Sequence, residues 1–199
     1  MRKTHLPVCL LAVLLLFCGC GESYDAKEST VFVSRDGSVT EVSVERMDES
    51  YYSETELETF ITEAIEAFDE STGEVKQTGY ELNDGVAKLT LNYTDWKTYT
   101  EFNRRILYVG TVVKAQAEGF TFDVSFLDGK TGNAASAEDA LSTPERKIVI
   151  LEKVTDTLVR VPGKLLYISS DCEIEDKNTA RVHKSQSDSV TEYAYIIYR

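Results

Sequence analysis

Few side chains in this 199-residue chain can do nucleophilic or soft-metal chemistry: it has four cysteines and two histidines. Residues 1–19 read as a segment removed on export. The pair left for a mature Cys–His dyad is Cys172 and His183, on strand-like runs that could be neighbours. A reactive cysteine needs its thiolate favoured by basic neighbours or a helix start. Asp171, Glu173, Glu175 and Asp176 surround Cys172 and act in the opposite sense. A serine triad would need His183 as its base, and no Gly-x-Ser-x-Gly elbow occurs. No His/Cys cluster has zinc spacing, and neither glycine-rich phosphate motif is present. Calcium needs oxygen ligands alone. The run Asp128-Gly129-Lys130-Thr131-Gly132-Asn133 lacks acids or amides at the positions an EF-hand loop requires. Residues 171–176 are acidic, but strand alternation sends their side chains to both faces of a sheet. Paired carboxylates of a glycosidase must stand about 5–9 Å apart in a cleft. The chain has 34 acids and offers many pairs, so their number alone selects none.

Two further groups invite a functional reading. Tyr93, Trp96, Tyr99 and Phe102 form an aromatic set across a strand–helix junction. Such a set can be a platform for sugars or peptides; the helical spacing of the last three favours core. From Asp48 to Glu74 there are ten acids and no Lys or Arg. Glu54–Glu58 and Glu66–Glu70 are like-charge i,i+4 pairs, each unfavourable by about 0.2–0.5 kcal/mol, and the last acids sit at the negative end of the helix dipole. A helix here depends on its apolar stripe. Its acid face is either solvated or meets something positive.

The N-terminus has the three parts of a secretory signal: Met1-Arg2-Lys3, an apolar run from Leu6 to Phe17, and small residues before a cut. Twelve apolar residues are too few for a spanning helix, which needs roughly 20. Phe17-Cys18-Gly19-Cys20 resembles the lipobox of bacterial lipoproteins, with Phe17 where leucine is commonest. The resemblance implies cleavage after Gly19 and a diacylglyceryl group on Cys20. Two acyl chains give stable membrane anchoring where one does not. The implied location is the extracytoplasmic face of the cell membrane. Residues 20–30 then read as a polar tether, and 31–199 as a single domain. FNRRILYVGTVVKAQAEGF and VPGKLLYISSD resemble segments of small lipoproteins of clostridia-like bacteria, a resemblance that transfers no functional residue.

Removing residues 1–19 takes away Arg2, Lys3 and no acid, and moves the net charge from −13 to −15. A balance this acidic argues against nucleic acid, and against electrostatic attraction to an anionic membrane surface. With a single spare thiol the domain has no internal disulfide, and 180 residues suffice for an ordinary core.

The elements that must position any site follow from periodicity. Residues 31–34 and 39–45 flank Arg35-Asp36-Gly37-Ser38, a hairpin signal. Over 53–71 the spacing predicts the clearest helix, with Ser53 and Glu56 in a capping box. Leu57, Phe60, Ile61, Ala64, Ile65 and Phe68 form its buried stripe, and Gly73 is its stop. A second hairpin turns at Asn83-Asp84-Gly85 and leads into the alternating Ala87, Leu89, Leu91 and Tyr93. Residues 95–106 read as helical, and a shorter helix starts at Thr111. Phe120, Phe122, Val124 and Phe126 alternate as a strand, and 136–141 make a helical turn or two. Strands are expected over 147–152, 157–161, 164–169, 179–184 and 192–198. The sum is α+β: a largely antiparallel sheet with one long N-terminal helix and one or two shorter helices. A doubly wound parallel sheet is the weaker alternative.

The resulting expectation is a lipid-anchored, non-enzymatic module that binds a protein, peptide or envelope glycan. No catalytic or metal-ligating residue is assigned, no cofactor is expected, and the membrane is a partner through Cys20. An envelope hydrolase using paired carboxylates and a structural spacer are the alternatives.

Overall fold

The computed structural model describes residues 24–199 apart from Asp48, Ser50, Tyr51, Asp69, Glu70, Asp188 and Ser189. The expected signal, the expected lipidation site Cys20 and the first part of the expected tether lie outside the described residues.

Among the described residues thirteen strands form two sheets. The first sheet has the order β11 (Cys172–Asp176), β12 (Thr179–Val182), β9 (Thr157–Arg160), β1 (Thr30–Val33), β2 (Val39–Arg46), β4 (Val86–Tyr93) and β3 (Val75–Asn83). The second has the order β5 (Leu107–Thr111), β8 (Lys147–Glu152), β13 (Tyr193–Tyr198), β10 (Leu165–Ser169), β6 (Phe126–Asp128) and β7 (Ala134–Ala135). Every pairing is antiparallel except β1 with β9.

Alternation explains how the sheets meet. Val31, Val33, Val39, Leu91, Tyr93, Val159, Ala180 and Val182 of the first sheet share one core with Leu107, Val149, Leu151, Ile168, Ala194 and Ile196 of the second. The intervening residues of β8 and β13 (Ile148, Ile150, Tyr195 and Ile197) point the other way, into a second cluster. Helices α3 (Val112–Ala117) and α4 (Ala137–Leu141) cover that face, supplying Val112, Ala115 and Ala140. The second sheet is thus apolar on both faces, which is why β8 reads as an unbroken run Ile-Val-Ile-Leu. The outer face of the first sheet has a smaller cover, in which Tyr24 and Ala26 lie on Phe32 and Val42.

This architecture corrects the α+β expectation. The molecule is mostly strand, in two packed sheets, with four short helices among the described residues. The long helix expected over 53–71 is α1 (Glu54–Glu66), 13 residues, capped by Ser53 whose side chain accepts from Glu56 N–H. Positions 69 and 70 fall outside the described residues. Ile61 is buried, and Ile65 and Phe68 pack on the main core. Phe60, expected in the same stripe, is 69% exposed. Apolar spacing identified the helix but not its neighbour. The core is closed by a second sheet, so α1 covers only the flank beside β3 and buries a narrower face. The segment 95–106 shortens to α2 (Trp96–Asn103), because Arg104 turns left-handed at φ +50°. The run 120–125 is not a strand. Phe122 has φ +52°, and Phe120, Phe122 and Val124 face the second cluster from an irregular loop, joined there by Phe126 at the start of β6.

Candidate functional site: a cationic end on an acidic chain

Strand register collects one end of the sandwich from several turns. Val33 opposes Val39 next to the β1–β2 turn. Phe32 opposes Arg160 at the end of β9, and Lys147 opposes both Tyr198 and Thr111. Backbone hydrogen bonds tie these turns together: Leu165 N–H donates to Lys177 O (2.8 Å) and Val161 N–H to Asn178 O (2.9 Å). Lys164 and Arg199 exchange two more, at 2.9 and 3.1 Å. Gly163 permits this last pair, since a Cβ there would collide with the carbonyl oxygen of Arg199.

The consequence is a concentration of positive charge. Arg35, Lys130, Lys147, Arg160, Lys164, Lys177 and Arg199 all line clefts at this end, and all are exposed. Arg35 borders three clefts of about 420, 520 and 510 Å³. A further cleft of about 620 Å³ carries Lys130, Lys164, Lys177 and Arg199. Shared residues make the four clefts one continuous rim. Among the described residues none of these seven side chains takes part in an ion pair. Elsewhere Lys76, Lys88, Lys153 and Arg181 are each paired with acids.

The acids lining these clefts are Asp36, Asp128 and Asp176, and each carboxylate is occupied by its own turn. Asp36 accepts from Ser38 Oγ (2.7 Å) and Ser38 N–H (3.0 Å), bonds that hold its pKa below the ordinary carboxylate range. Asp128 accepts from Thr131 N–H (2.8 Å), Thr131 Oγ1 and Lys130 N–H and is lowered for the same reason. Asp176 accepts from Asn178 N–H at 2.7 Å. These acids shape the turns and keep their charge, so the rim carries seven basic side chains against three carboxylates. The excess of positive charge along the rim favours an anionic ligand. No single sequence motif marks the seven positions. Only the topology brings them together.

The residues singled out from sequence lie elsewhere. Cys172 opposes Val182 on β12, but its thiol points into the main core. Burial, reinforced by Asp171, pushes its pKa up to about 12. His183 turns to the opposite face, with Nε2 3.2 Å from Glu173 and Nδ1 3.6 Å from Asp156, so the two do not meet. The acids of 171–176 have partners of their own. Asp171 and Glu192 hold Lys153 at 2.6 and 2.9 Å, and Glu175 pairs with Arg181. The aromatic set is core: Tyr99 and Tyr93 are buried and stack edge-on at 5.1 Å, with Phe102 5.9 Å from Tyr93.

That aromatic core encloses one carboxylate that sequence reading did not single out. Glu41 sits in the middle of β2 on the inner face. Its carboxylate accepts from Tyr99 Oη (3.1 Å) and Tyr93 Oη (3.2 Å), and Asn103 Nδ2 donates to Tyr93 Oη at 3.0 Å. Desolvation raises the Glu41 pKa above its ordinary 4.5, against the opposing influence of the two tyrosines and Arg105. Its hydrogen-bond partners are hydroxyls and not a second carboxylate, and the cluster is best read as a buried polar tie. Its sequence trace was the polar residue interrupting the inner face Val39-x-Glu41.

Compared with known protein families, curated proteins and solved structures, the chain matches none.

Proposed function

We propose that this chain is a lipid-anchored, extracytoplasmic binding module that holds an anionic component of the cell envelope at its cationic end. One observation carries the reading: seven unpaired basic side chains share a rim of clefts, on a chain whose net charge is −13. Lys153 and Arg181 are held by acids, whereas the seven cations of the rim adjoin one another along shared clefts. The anchor on Cys20 is the other part of the proposal, and the lipobox resemblance supports it.

Titration of the purified chain with polyphosphate, with uncharged dextran as control, tests the site. Polyphosphate binds at low ionic strength and dextran does not. The triple variant Arg35→Glu/Lys164→Glu/Arg199→Glu loses the binding while keeping native circular dichroism. Equal behaviour toward both polymers would end the proposal. Fractionation tests the anchor: Cys20→Ala moves the chain out of the membrane fraction, and retention after correct cleavage would contradict it.

A further inference from the structure

We infer that the cationic end faces the bilayer to which the chain is anchored, and that its ligand is the phosphate layer of anionic phospholipids. This inference rests on the proposed anchor and on the anion-binding reading of the same end, and it names the source of the anion.

Tyr24 packs edge-on against Phe32, with ring centroids 5.0 Å apart. Both rings line the cleft that also carries Arg35 and Arg160. The polypeptide therefore enters the domain at its cationic end. Cys20 lies four residues earlier in the sequence. A fully extended chain spans at most about 3.6 Å per residue, so the anchor stands within roughly 14 Å of Tyr24. A diacylated cysteine has its chains in the hydrocarbon and its backbone at the headgroups. The tether thus holds this rim of unpaired cations close to the one surface that presents a dense layer of phosphates. Anionic lipid attracts basic residues over about a Debye length, roughly 8 Å at physiological salt.

The rest of the fold supports the same orientation. The opposite end of the sandwich carries Lys153 between Asp171 and Glu192, and His183 between Asp156 and Glu173. Four acids thus stand there against Lys153 and the exposed Lys184. A domain with one cationic and one balanced or acidic end is a dipole, and a negatively charged plane orients it with the cations down. Net charge alone argues against attraction to an anionic membrane; the distribution of charge reverses that for one end.

The test uses the mature lipidated chain in vesicles of phosphatidylcholine, with or without phosphatidylglycerol, and with a headgroup-located quencher. One fluorophore is placed at Lys177→Cys on the cationic end and, in a second protein, at Thr155→Cys on the other. Cys172 is buried, which spares it from labelling. The Lys177 probe is quenched in vesicles containing phosphatidylglycerol, less so without it, and the Thr155 probe is quenched in neither. Each basic residue near an anionic surface is worth about fivefold in population. Neutralising three, in Arg35→Gln/Arg160→Gln/Lys164→Gln, lowers the cation-down population by about a hundredfold relative to other orientations. Quenching at Lys177 that ignores lipid charge, or greater quenching at Thr155, overturns the inference. Retained polyphosphate binding in that case leaves the anion site standing with a different ligand. Loss of vesicle association altogether removes the anchor and this inference with it.

Discussion

Replacing Glu41 separates a buried polar tie from an ionised site. In the folded chain the Glu41 carboxylate is the acceptor for Tyr99 Oη, and one of two partners for Tyr93 Oη. In Glu41→Ala the Tyr99 hydroxyl, on a side chain with 0% exposure, is left without its acceptor. An orphaned buried donor costs about 1–3 kcal/mol, and loss of the buried Glu γ-methylene adds about 0.8 kcal/mol. The expected total is about 2–4 kcal/mol, a large share of the roughly 5–15 kcal/mol that a domain possesses. Glu41→Gln keeps one oxygen acceptor and does not titrate. Because burial raises the folded-state pKa above the ordinary 4.5, the native contribution is complete below that value. It declines as pH rises through the folded pKa, where the fold must accept a buried charge. Urea unfolding of both proteins at about pH 4 and about pH 8 reads the difference. The native chain should exceed Glu41→Gln in acid and lose that advantage, or fall below it, at the higher pH. A native advantage that grows with pH would show that Arg105 and the tyrosines hold the carboxylate ionised, and the assignment would be wrong.

Two other outcomes follow from packing and chemistry. Ile61→Ala should cost about 2–5 kcal/mol, a core-cavity value, whereas Phe60→Ala on the exposed side of α1 should cost under about 0.5 kcal/mol; denaturant midpoints that reverse this order would mean that α1 packs through its other face. The Cys172 thiol, raised to about 12 by burial, should resist a thiol reagent at neutral pH in the folded chain and react once urea unfolds it. Rapid reaction without urea would show that β11 opens or that the thiol lies at the surface.

Much of the local structure was legible in the sequence. The Asn83-Asp84-Gly85 turn, the Ser53 and Thr111 caps and the strand over 147–152 are local signals, set within a few residues by capping and turn chemistry, and they stand in the fold. The architecture was not legible, because it depends on which apolar faces find one another. Phe60 and Ile61 look alike in a helical stripe, and only the position of α1 on the flank of β3 buries one and exposes the other. Phe122 belongs to a period-two pattern, yet its positive φ makes the segment a loop packed on Tyr195. The site was illegible for the same reason. Arg35 is separated from Lys147, Arg160 and Arg199 by more than half of the chain, and they converge only through register. Net charge, a sum over the whole molecule, concealed the asymmetry.

The salt dependence of polyphosphate affinity tests the account most directly. For a flexible phosphate polymer each contacting cation contributes about −0.7 to −0.9 to the slope of log affinity against log salt. Engagement of four or five of the seven basic residues predicts a slope of about −3 to −4 for the native chain. Replacing Arg35, Lys164 and Arg199 together with glutamine should make it shallower by about 2. A slope near zero, or one that the three replacements leave unchanged, would contradict an anion-binding cationic end.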